Sequence, residues 1–158
     1  MGICTLIVNP SSGGEMASSY LELMETQLRN RFEEVTVKET GKQGDAMKFA
    51  YEAAKNGHEA VFCMGGDGTV NETINGLAAA GTDVSFGFVP LGTVNDLARA
   101  LGIPLDPGQA IEMFETAVLL DLDIGKVNDR YFVSNVAAGA IPEAVEEGLD
   151  KSKYADWE

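Results

Sequence analysis

The chain has 158 residues, 45% of them hydrophobic, which is the length of about one domain with enough apolar residues for a buried core and excludes an intrinsically disordered protein. Eleven basic residues against 25 acidic ones give a net charge of −14, which disfavours binding to nucleic acids and to anionic membrane surfaces. Because no apolar run is long enough to span a bilayer and the start of the chain lacks signal-peptide features, we predict a cytoplasmic protein without a transmembrane segment.

Short apolar runs alternate with stretches of helical period, which is typical of an α/β fold with a parallel sheet covered by helices. The predicted strands are residues 4–8, 35–39, 60–64 and 85–89, and the predicted helices are residues 17–31, 45–55, 70–81, 96–101 and 109–114. Cys4 and Cys63 fall inside two of these apolar strands. We therefore predict two reduced core thiols and neither a disulfide nor a metal site.

A second unit of different character is predicted to begin at residue 118. Residues 118–127 and 130–137 are two extended runs joined by Asn128 and Asp129, which favours a β-hairpin. We therefore divide the chain into an α/β domain over residues 1–117 and the beginning of an antiparallel unit over 118–158. The unpaired edge of such a hairpin is a template for strand pairing, so we expect self-association, with a homodimer as its simplest form.

A glycine-rich segment, residues 65–69, lies between a predicted strand and a predicted helix. The start of a helix presents unpaired backbone N–H groups and the positive end of its dipole, and glycine lets an anion approach the backbone closely. Gly66, Gly68 and Thr69 therefore favour a phosphate. Asp67 is harder to place, because its carboxylate opposes a phosphate unless it holds a cation or accepts a proton from a substrate hydroxyl. Its alternative role is that of a turn residue and helix cap.

Two more polar loops are predicted at the same edge of the sheet. Residues 9–13 follow the first strand and residues 90–96 follow the fourth. Since ligands of open α/β sheets bind beyond the carboxyl ends of the strands, the three segments together predict a nucleotide site. The structural alternative is that Asn95 caps a helix and that Asp96 forms an ion pair with Arg99.

The order and spacing of these motifs resemble the diacylglycerol kinase catalytic domain. The motifs are Asn9-Pro10-Ser11-Ser12-Gly13, Gly65-Gly66-Asp67-Gly68-Thr69-Val70-Asn71-Glu72 and Pro90-Leu91-Gly92-Thr93-Val94-Asn95-Asp96-Leu97-Ala98-Arg99, and the resemblance continues through residues 121–128 and 130–137. Bacterial members of this family, which are similar to sphingosine and ceramide kinases, transfer the ATP γ-phosphate to a lipid hydroxyl. The resemblance implies a Rossmann-like, three-layer domain similar to phosphofructokinase and NAD kinase over residues 1–117. It also implies that residues 118–158 begin a β-rich lipid-binding domain.

Carried over to this sequence, the resemblance implies a set of residues that contact ATP. They are Asn9, Pro10, Ser11, Ser12, Gly13, Thr40, Gly66, Asp67, Gly68, Thr69, Val70, Asn71, Glu72 and Thr93. Asp67 is implied as the catalytic residue, acting through a metal or as the base for the lipid hydroxyl. Mg²⁺ is the expected cofactor, with Asp67 and Asp96 as candidate ligands, because the charge of the triphosphate must be neutralised during transfer. The whole protein is expected to associate transiently with a membrane surface, where its lipid, most simply diacylglycerol, is presented.

The sequence departs from the family pattern in two places. Gly14 and Glu15 stand where bacterial members usually have a lysine, and the later Asp-Gly-Glu region, which supplies a catalytic acid or base, has no counterpart before Glu158. We therefore expect this chain to be the ATP-binding half and to have little or no kinase activity alone. Two alternatives stay open: an NAD kinase-like or other small-molecule kinase, in which Gly-Gly-Asp-Gly also occurs, and a non-catalytic nucleotide-binding module.

Overall fold

A computed structural model describes residues 2–14 and 16–133 of the chain. This part contains a four-stranded parallel sheet, a separate two-stranded antiparallel sheet and five helices. The strands are β1 Ile3–Val8, β2 Glu34–Glu39, β3 Ala60–Gly65, β4 Ser85–Pro90, β5 Gly125–Val127 and β6 Arg130–Phe132, and the helices are α1 Met16–Arg29, α2 Asp45–Lys55, α3 Asp67–Ala80, α4 Asp96–Leu101 and α5 Pro107–Met113. None of these helices is both long enough and apolar enough to cross a membrane.

The carboxyl ends of the four parallel strands lie next to one another. The strand order is β2-β1-β3-β4, so β1 and β3 are the inner strands. Val8 at the end of β1 pairs with Glu39 on one side and Met64 on the other, while Gly65 at the end of β3 pairs with Pro90. The segments that leave the four strands therefore start side by side at the carboxyl edge of the sheet, where open α/β folds bind their ligands.

Helices cover both faces of this sheet and bury two apolar clusters. The first cluster packs α1 and α5 against one face, and its fully buried members include Leu6, Met24 and Ile111. The second packs α2, α3 and α4 against the other face, around Ile7 and Val61. Side chains of β1 are thus part of both clusters, as expected for an inner strand that is buried on both faces. The predicted α/β fold with helix, sheet and helix layers is confirmed.

The extended run predicted for residues 118–127 is wrong over most of its length. Within residues 118–127, only Gly125–Val127 forms a strand, and Val118, Leu119 and Leu120 are 77%, 79% and 74% exposed. Residues 118–124 have no neighbouring strand in the described part of the chain, and an alternating pattern alone does not satisfy the N–H and C=O groups of a strand. Of residues 130–137, Arg130–Phe132 forms β6 and residues 134–137 lie outside the described residues.

The hairpin itself is confirmed. β5 and β6 pair antiparallel, with Val127 opposite Arg130, and Asn128 between them has a φ of 52°, a left-handed value that asparagine tolerates in turns. Residues 134–158 lie outside the description, so the domain boundary at residue 117 stays a prediction.

Both cysteines are free and buried, as predicted, with no exposed surface at Cys4 or Cys63. Burial raises the pKa of each thiol from 9.0 to about 12, because the thiolate would lose its hydration. In the unfolded chain the thiols deprotonate at their ordinary pKa. The two thiols therefore contribute stability that is fully present below about pH 9 and is lost as the pH rises towards about 12.

We expect the free energy of unfolding to fall in this pH range by about 1.4 kcal/mol per pH unit for each thiol. Urea unfolding at a series of alkaline pH values measures this slope. The matched control is the double variant Cys4→Ala and Cys63→Ala, in which the contribution from the thiols is removed. An equal slope in the wild type and in the double variant would contradict the prediction.

Candidate functional site

The turn between β3 and α3, residues 65–69, is called the β3 turn. A single residue, Gly66, separates the strand from the 14-residue helix, and as the N-cap residue it provides no side-chain hydrogen bond to the helix. A Cβ atom placed on Gly68 would meet nothing within 4 Å. The first N–H groups of α3 therefore carry no side-chain cap and adjoin open space, which is the arrangement that favours a phosphate.

Asp67 caps a neighbouring helix. Its Oδ2 accepts a hydrogen bond from the backbone N–H of Asn95 at 2.8 Å, and its Oδ1 accepts one from the N–H of Asp96 at 2.9 Å. These two N–H groups belong to the start of α4, so the carboxylate complements the dipole of α4 and not that of its own helix. Asp67 is thus a helix cap, but of α4 and not of α3, the helix that it precedes and that the alternative role concerned. The carboxylate leaves the N–H groups that begin α3 unoccupied, but its negative charge stays beside them, so a phosphate there still requires a cation or a proton at Asp67.

The structural alternative predicted a helix cap by the Asn95 side chain and an ion pair between Asp96 and Arg99, and the structure shows neither of these two interactions. Asn95 has a left-handed backbone with φ of 56°, and its side chain forms no capping bond to α4. Instead its Oδ1 accepts from the N–H of Gly92 at 2.9 Å and its Nδ2 donates to the carbonyl of Gly92 at 2.7 Å. Arg99 donates from Nε to the carbonyl of Val94 at 2.7 Å, and among the described residues it makes no ion pair with Asp96. Asn95 therefore shapes the segment after β4, residues 91–95, which we call the β4 loop.

Backbone contact joins the β3 turn to the β4 loop. A Cβ atom on Gly92 would lie 2.8 Å from the Cα of Gly66, and one on Gly66 would lie 3.2 Å from the Cα of Gly92. A side chain at position 92 would thus force the two segments apart, and one at position 66 would be a tight contact. Thr93 follows Gly92 directly and is exposed at this junction.

The segment after β1, residues 9–14, is called the β1 loop, and it meets both of the others. Asn9 donates from Nδ2 to Oγ1 of Thr69 at 3.1 Å, while its Oδ1 accepts the N–H of Ser11 at 3.1 Å. Gly13 has a φ of 66°, and a Cβ atom there would lie 3.0 Å from the carbonyl oxygen of Leu91. The β1 loop, β3 turn and β4 loop therefore form one connected surface, as the sequence predicted.

The segment between β2 and α2, residues 40–44, is bound to both β1 and α3. The N–H of Thr40 donates to the carbonyl of Val8 at 2.9 Å, which extends the pairing of β2 with β1. Glu72 of α3 accepts the N–H of Gly44 through Oε1 at 3.0 Å. Asp45 accepts the N–H groups of Gly41 and Lys42 at 2.8 and 3.0 Å, and the bond from Gly41 lowers the pKa of its carboxyl. Glu72, predicted as an ATP contact, therefore also fixes the segment between Thr40 and α2.

The charge at this edge is predominantly negative. Asp67, Glu72 and Asp96 contribute carboxylates, whereas Lys42 is the one basic residue among residues 9–14, 40–44, 65–69 and 91–95. Within the part of the chain that the structure describes, no three His, Cys, Asp or Glu side chains group closely enough to hold a metal ion. A Mg²⁺ ion that arrives on a nucleotide needs only one or two carboxylates besides the phosphates, and each oxygen of Asp67 retains a lone pair beyond its backbone bond. The residues present thus fit a metal shared with a nucleotide.

Asn75 in the third turn of α3 was missed by the sequence reasoning. This side chain is only 9% exposed. Its Oδ1 accepts the N–H of Tyr131 at 2.8 Å, and its Nδ2 donates to the carbonyl of Tyr131 at 2.9 Å and to that of Asn71 at 2.9 Å. The sequence did contain a signal for this role. Asn75 follows Ile74 on the apolar side of a helix, where a buried amide must form hydrogen bonds.

Comparison with known proteins agrees with the fold and the motifs. A family model, that of the diacylglycerol kinase catalytic domain, matches residues 4–127. A protein of Streptococcus pneumoniae is 40% identical over 151 residues, which cover 94% of this chain and 51% of that protein. A diacylglycerol kinase of Staphylococcus saprophyticus is 36% identical over 148 residues, with 94% of this chain and 48% of that enzyme covered.

The fold is similar to that of solved members. The crystal structure of a diacylglycerol kinase from Bacillus anthracis gives a TM-score of 0.76 at 32% identity, over 83% of this chain and 45% of that one. The chain thus spans about half the length of the curated relatives that it matches. With the family model covering most of its residues, the chain belongs to the diacylglycerol kinase catalytic domain family.

Proposed function

We propose that the whole protein is a lipid kinase that transfers the ATP γ-phosphate to a lipid hydroxyl, that of diacylglycerol first, and that this chain provides the ATP-binding half. The observation that carries the proposal is the start of α3. Its N–H groups have no side-chain cap and adjoin open space beside the β1 and β4 loops. Phosphoryl transfer relies on positioning and on charge stabilisation, and oriented backbone N–H groups supply both.

In this proposal the phosphates lie against Gly66, Gly68 and Thr69, with Thr93 and the β1 loop on either side. The remaining proposed ATP contacts extend from this centre towards β2 and along the first turns of α3. They are Asn9, Pro10, Ser11, Ser12, Gly13, Thr40, Val70, Asn71 and Glu72. The geometry supports the inner part of this set most directly, because bonds or close approaches connect Asn9 with Thr69, Gly13 with Leu91, and Gly66 with Gly92.

We further propose Asp67 as a catalytic residue and Mg²⁺ as the cofactor. Asp67 would act on the lipid hydroxyl or on the metal through the lone pairs that its two backbone bonds leave free. Asp96 follows Asn95 at the start of α4 and would hold the same ion. Mg²⁺ would neutralise phosphate charge at an edge that carries carboxylates and a single lysine, Lys42.

The acceptor and the setting are proposals as well. Relatives that are named diacylglycerol kinase favour a lipid hydroxyl over NAD. The largely exposed apolar run Val118–Leu120 favours further protein or a second copy of the chain around residues 118–127. We propose a cytoplasmic enzyme that visits the membrane surface transiently. Since the relatives are about twice as long as this chain, we propose that it transfers little phosphate by itself.

The variant Gly68→Ala tests the phosphate position. The added Cβ atom has no protein neighbour within 4 Å, so it leaves the protein without nucleotide as stable as the wild type or slightly more stable. A phosphate in front of the helix would meet this methyl group, and we expect ATP affinity to fall by about tenfold or more, which corresponds to about 1.4 kcal/mol. Isothermal titration with ATP and Mg²⁺ measures the affinity, and a melting curve without nucleotide provides the control.

Three results would each contradict a part of the proposal. Unchanged ATP affinity in Gly68→Ala would remove the phosphate from the start of α3. Transfer to NAD but not to a diacylglycerol, measured with the whole protein, would favour a small-molecule kinase instead. Robust lipid phosphorylation by this chain alone would show that the catalytic groups are complete within it.

A further inference from the structure

The β5–β6 hairpin is positioned by its contacts and not by the segment that leads to it. The chain between α5 and β5, residues 114–124, contains no helix or strand, and Val118, Leu119 and Leu120 within it are 77%, 79% and 74% exposed. A hairpin with three residues in each strand is too small to be stable alone. Something outside the hairpin must therefore hold it in place.

The amide of Asn75 provides that support. It receives the N–H of Tyr131 and donates to the carbonyl of the same residue, at 2.8 and 2.9 Å, so both main-chain polar groups of one β6 residue bind a single side chain. An amide used in this way replaces the backbone of a neighbouring strand. Val133, just after β6, adds an apolar contact to the cluster formed by α2, α3 and α4.

The same helix carries the proposed phosphate site and the support for the hairpin. α3 begins at Asp67, and Asn75 lies eight residues later, about 12 Å along the axis. Nδ2 of Asn75 also donates to the carbonyl of Asn71, one turn closer to the start of the helix. A shift of the hairpin relative to the start of α3 therefore requires the two bonds between Asn75 and Tyr131 to break.

We infer that Asn75 is a positioning residue for phosphoryl transfer. Its amide fixes the hairpin relative to the start of α3. This inference rests on the proposed function, in which ATP binds at α3 and the lipid is presented by the part of the protein that follows the hairpin. Displacement of reacting groups by about 1 Å can reduce a rate on the order of 10²-fold, so loss of such a support affects transfer even though Asn75 touches no substrate.

The test compares Asn75→Ala with Asn75→Asp in the whole protein, with Asn30→Ala as the matched control. Asn30 lies exposed just beyond α1, so its variant makes the same chemical change away from the hairpin. For Asn75→Ala we expect kcat for lipid phosphorylation to fall on the order of 10²-fold while KM for ATP changes less than about twofold. Hydrogen exchange at the Tyr131 amide should accelerate in the same variant.

Asn75→Asp separates a positioning role from a general loss of packing. Its carboxylate can still accept the Tyr131 N–H, but it places an oxygen against the carbonyls of Tyr131 and Asn71 where Nδ2 donates in the wild type. The protonated carboxyl again has a donor. We therefore expect kcat of this variant, relative to the wild type at each pH, to rise as the pH is lowered.

Three outcomes would overturn the inference. The first is an unchanged kcat in Asn75→Ala despite rapid exchange at Tyr131, which would mean that the hairpin position does not matter for transfer. The second is loss of ATP binding together with kcat, which would mean that Asn75 supports α3 itself. The third is a relative kcat of Asn75→Asp that does not depend on pH. If the wild type binds ATP but phosphorylates no lipid, the proposed function fails, and the exchange measurement still reports whether Asn75 holds the hairpin.

Discussion

Asp67→Ala in the whole protein is expected to reduce lipid phosphorylation by on the order of 10²- to 10⁴-fold, the range associated with loss of an acid–base group. The variant removes a carboxylate that the proposed reaction uses. It also leaves the N–H groups of Asn95 and Asp96 without their acceptor. Loss of a helix cap costs about 1 kcal/mol of stability, which is much less than the expected loss of transition-state stabilisation.

Asp67→Asn helps to separate these two effects. The amide oxygen can still accept one of the two backbone bonds, so the β4 loop keeps part of its support, but the negative charge is gone. We expect ATP affinity within a few-fold of the wild type and a rate of transfer close to that of Asp67→Ala. Initial rates of diacylglycerol phosphorylation and calorimetric titration with ATP measure the two quantities separately.

Asp106→Asn is the matched control for this substitution. Asp106 caps α5 by accepting the N–H of Gln109 through Oδ1 at 2.9 Å, and asparagine caps helices about as well as aspartate does. We expect this variant to keep both ATP affinity and transfer. If Asp67→Asn behaves like Asp106→Asn, Asp67 is a structural cap and another group must act on the lipid hydroxyl.

The sequence predicted the parallel sheet and the helices because those signals are local. Apolar runs bounded by glycine and polar turns mark the strands, and helical spacing marks α2 with the bounds that the structure gives it. The extended run at residues 118–124 shows the limit of this reasoning. Alternating apolar residues describe what a strand needs on its two faces, but they do not supply the neighbouring strand.

The sequence predicted that the loops of the candidate site meet, but it did not predict most of the hydrogen bonds that connect them. Loops that follow parallel strands meet at one edge, so the meeting of Asn9 with Thr69 followed from topology. The partners of Asp67 lie 28 and 29 residues further along, and Tyr131 lies 56 residues from Asn75. Nothing in a local pattern determines bonds over such separations, and an acidic residue before a helix reads as a cap of that same helix.

Gly76→Ala is expected to destabilise the fold by about 3 kcal/mol, near the upper end of what overpacking usually costs. A Cβ atom on Gly76 of α3 would overlap the carbonyl oxygen of Met47 in α2 and would lie 2.9 Å from the Cβ atom of Ala50. The first of these neighbours is backbone, so relief requires the two helices to separate. In a helix interior alanine is more stable than glycine by up to about 1 kcal/mol. The net loss of folding free energy is therefore the steric cost minus this gain in helix propensity.

Gly68→Ala makes the same substitution two turns earlier in α3, where the added methyl group has no neighbour within 4 Å. Melting curves recorded without nucleotide should therefore place Gly76→Ala roughly 6 to 12 °C below the wild type and Gly68→Ala at or slightly above it. Separation of α2 from α3 would also strain the bond from Gly44 to Glu72 and move the start of α3, so ATP affinity should fall along with stability. A wild-type melting temperature in Gly76→Ala would mean that α2 and α3 do not pack as closely as described, and the position of the β3 turn would then lose its structural basis.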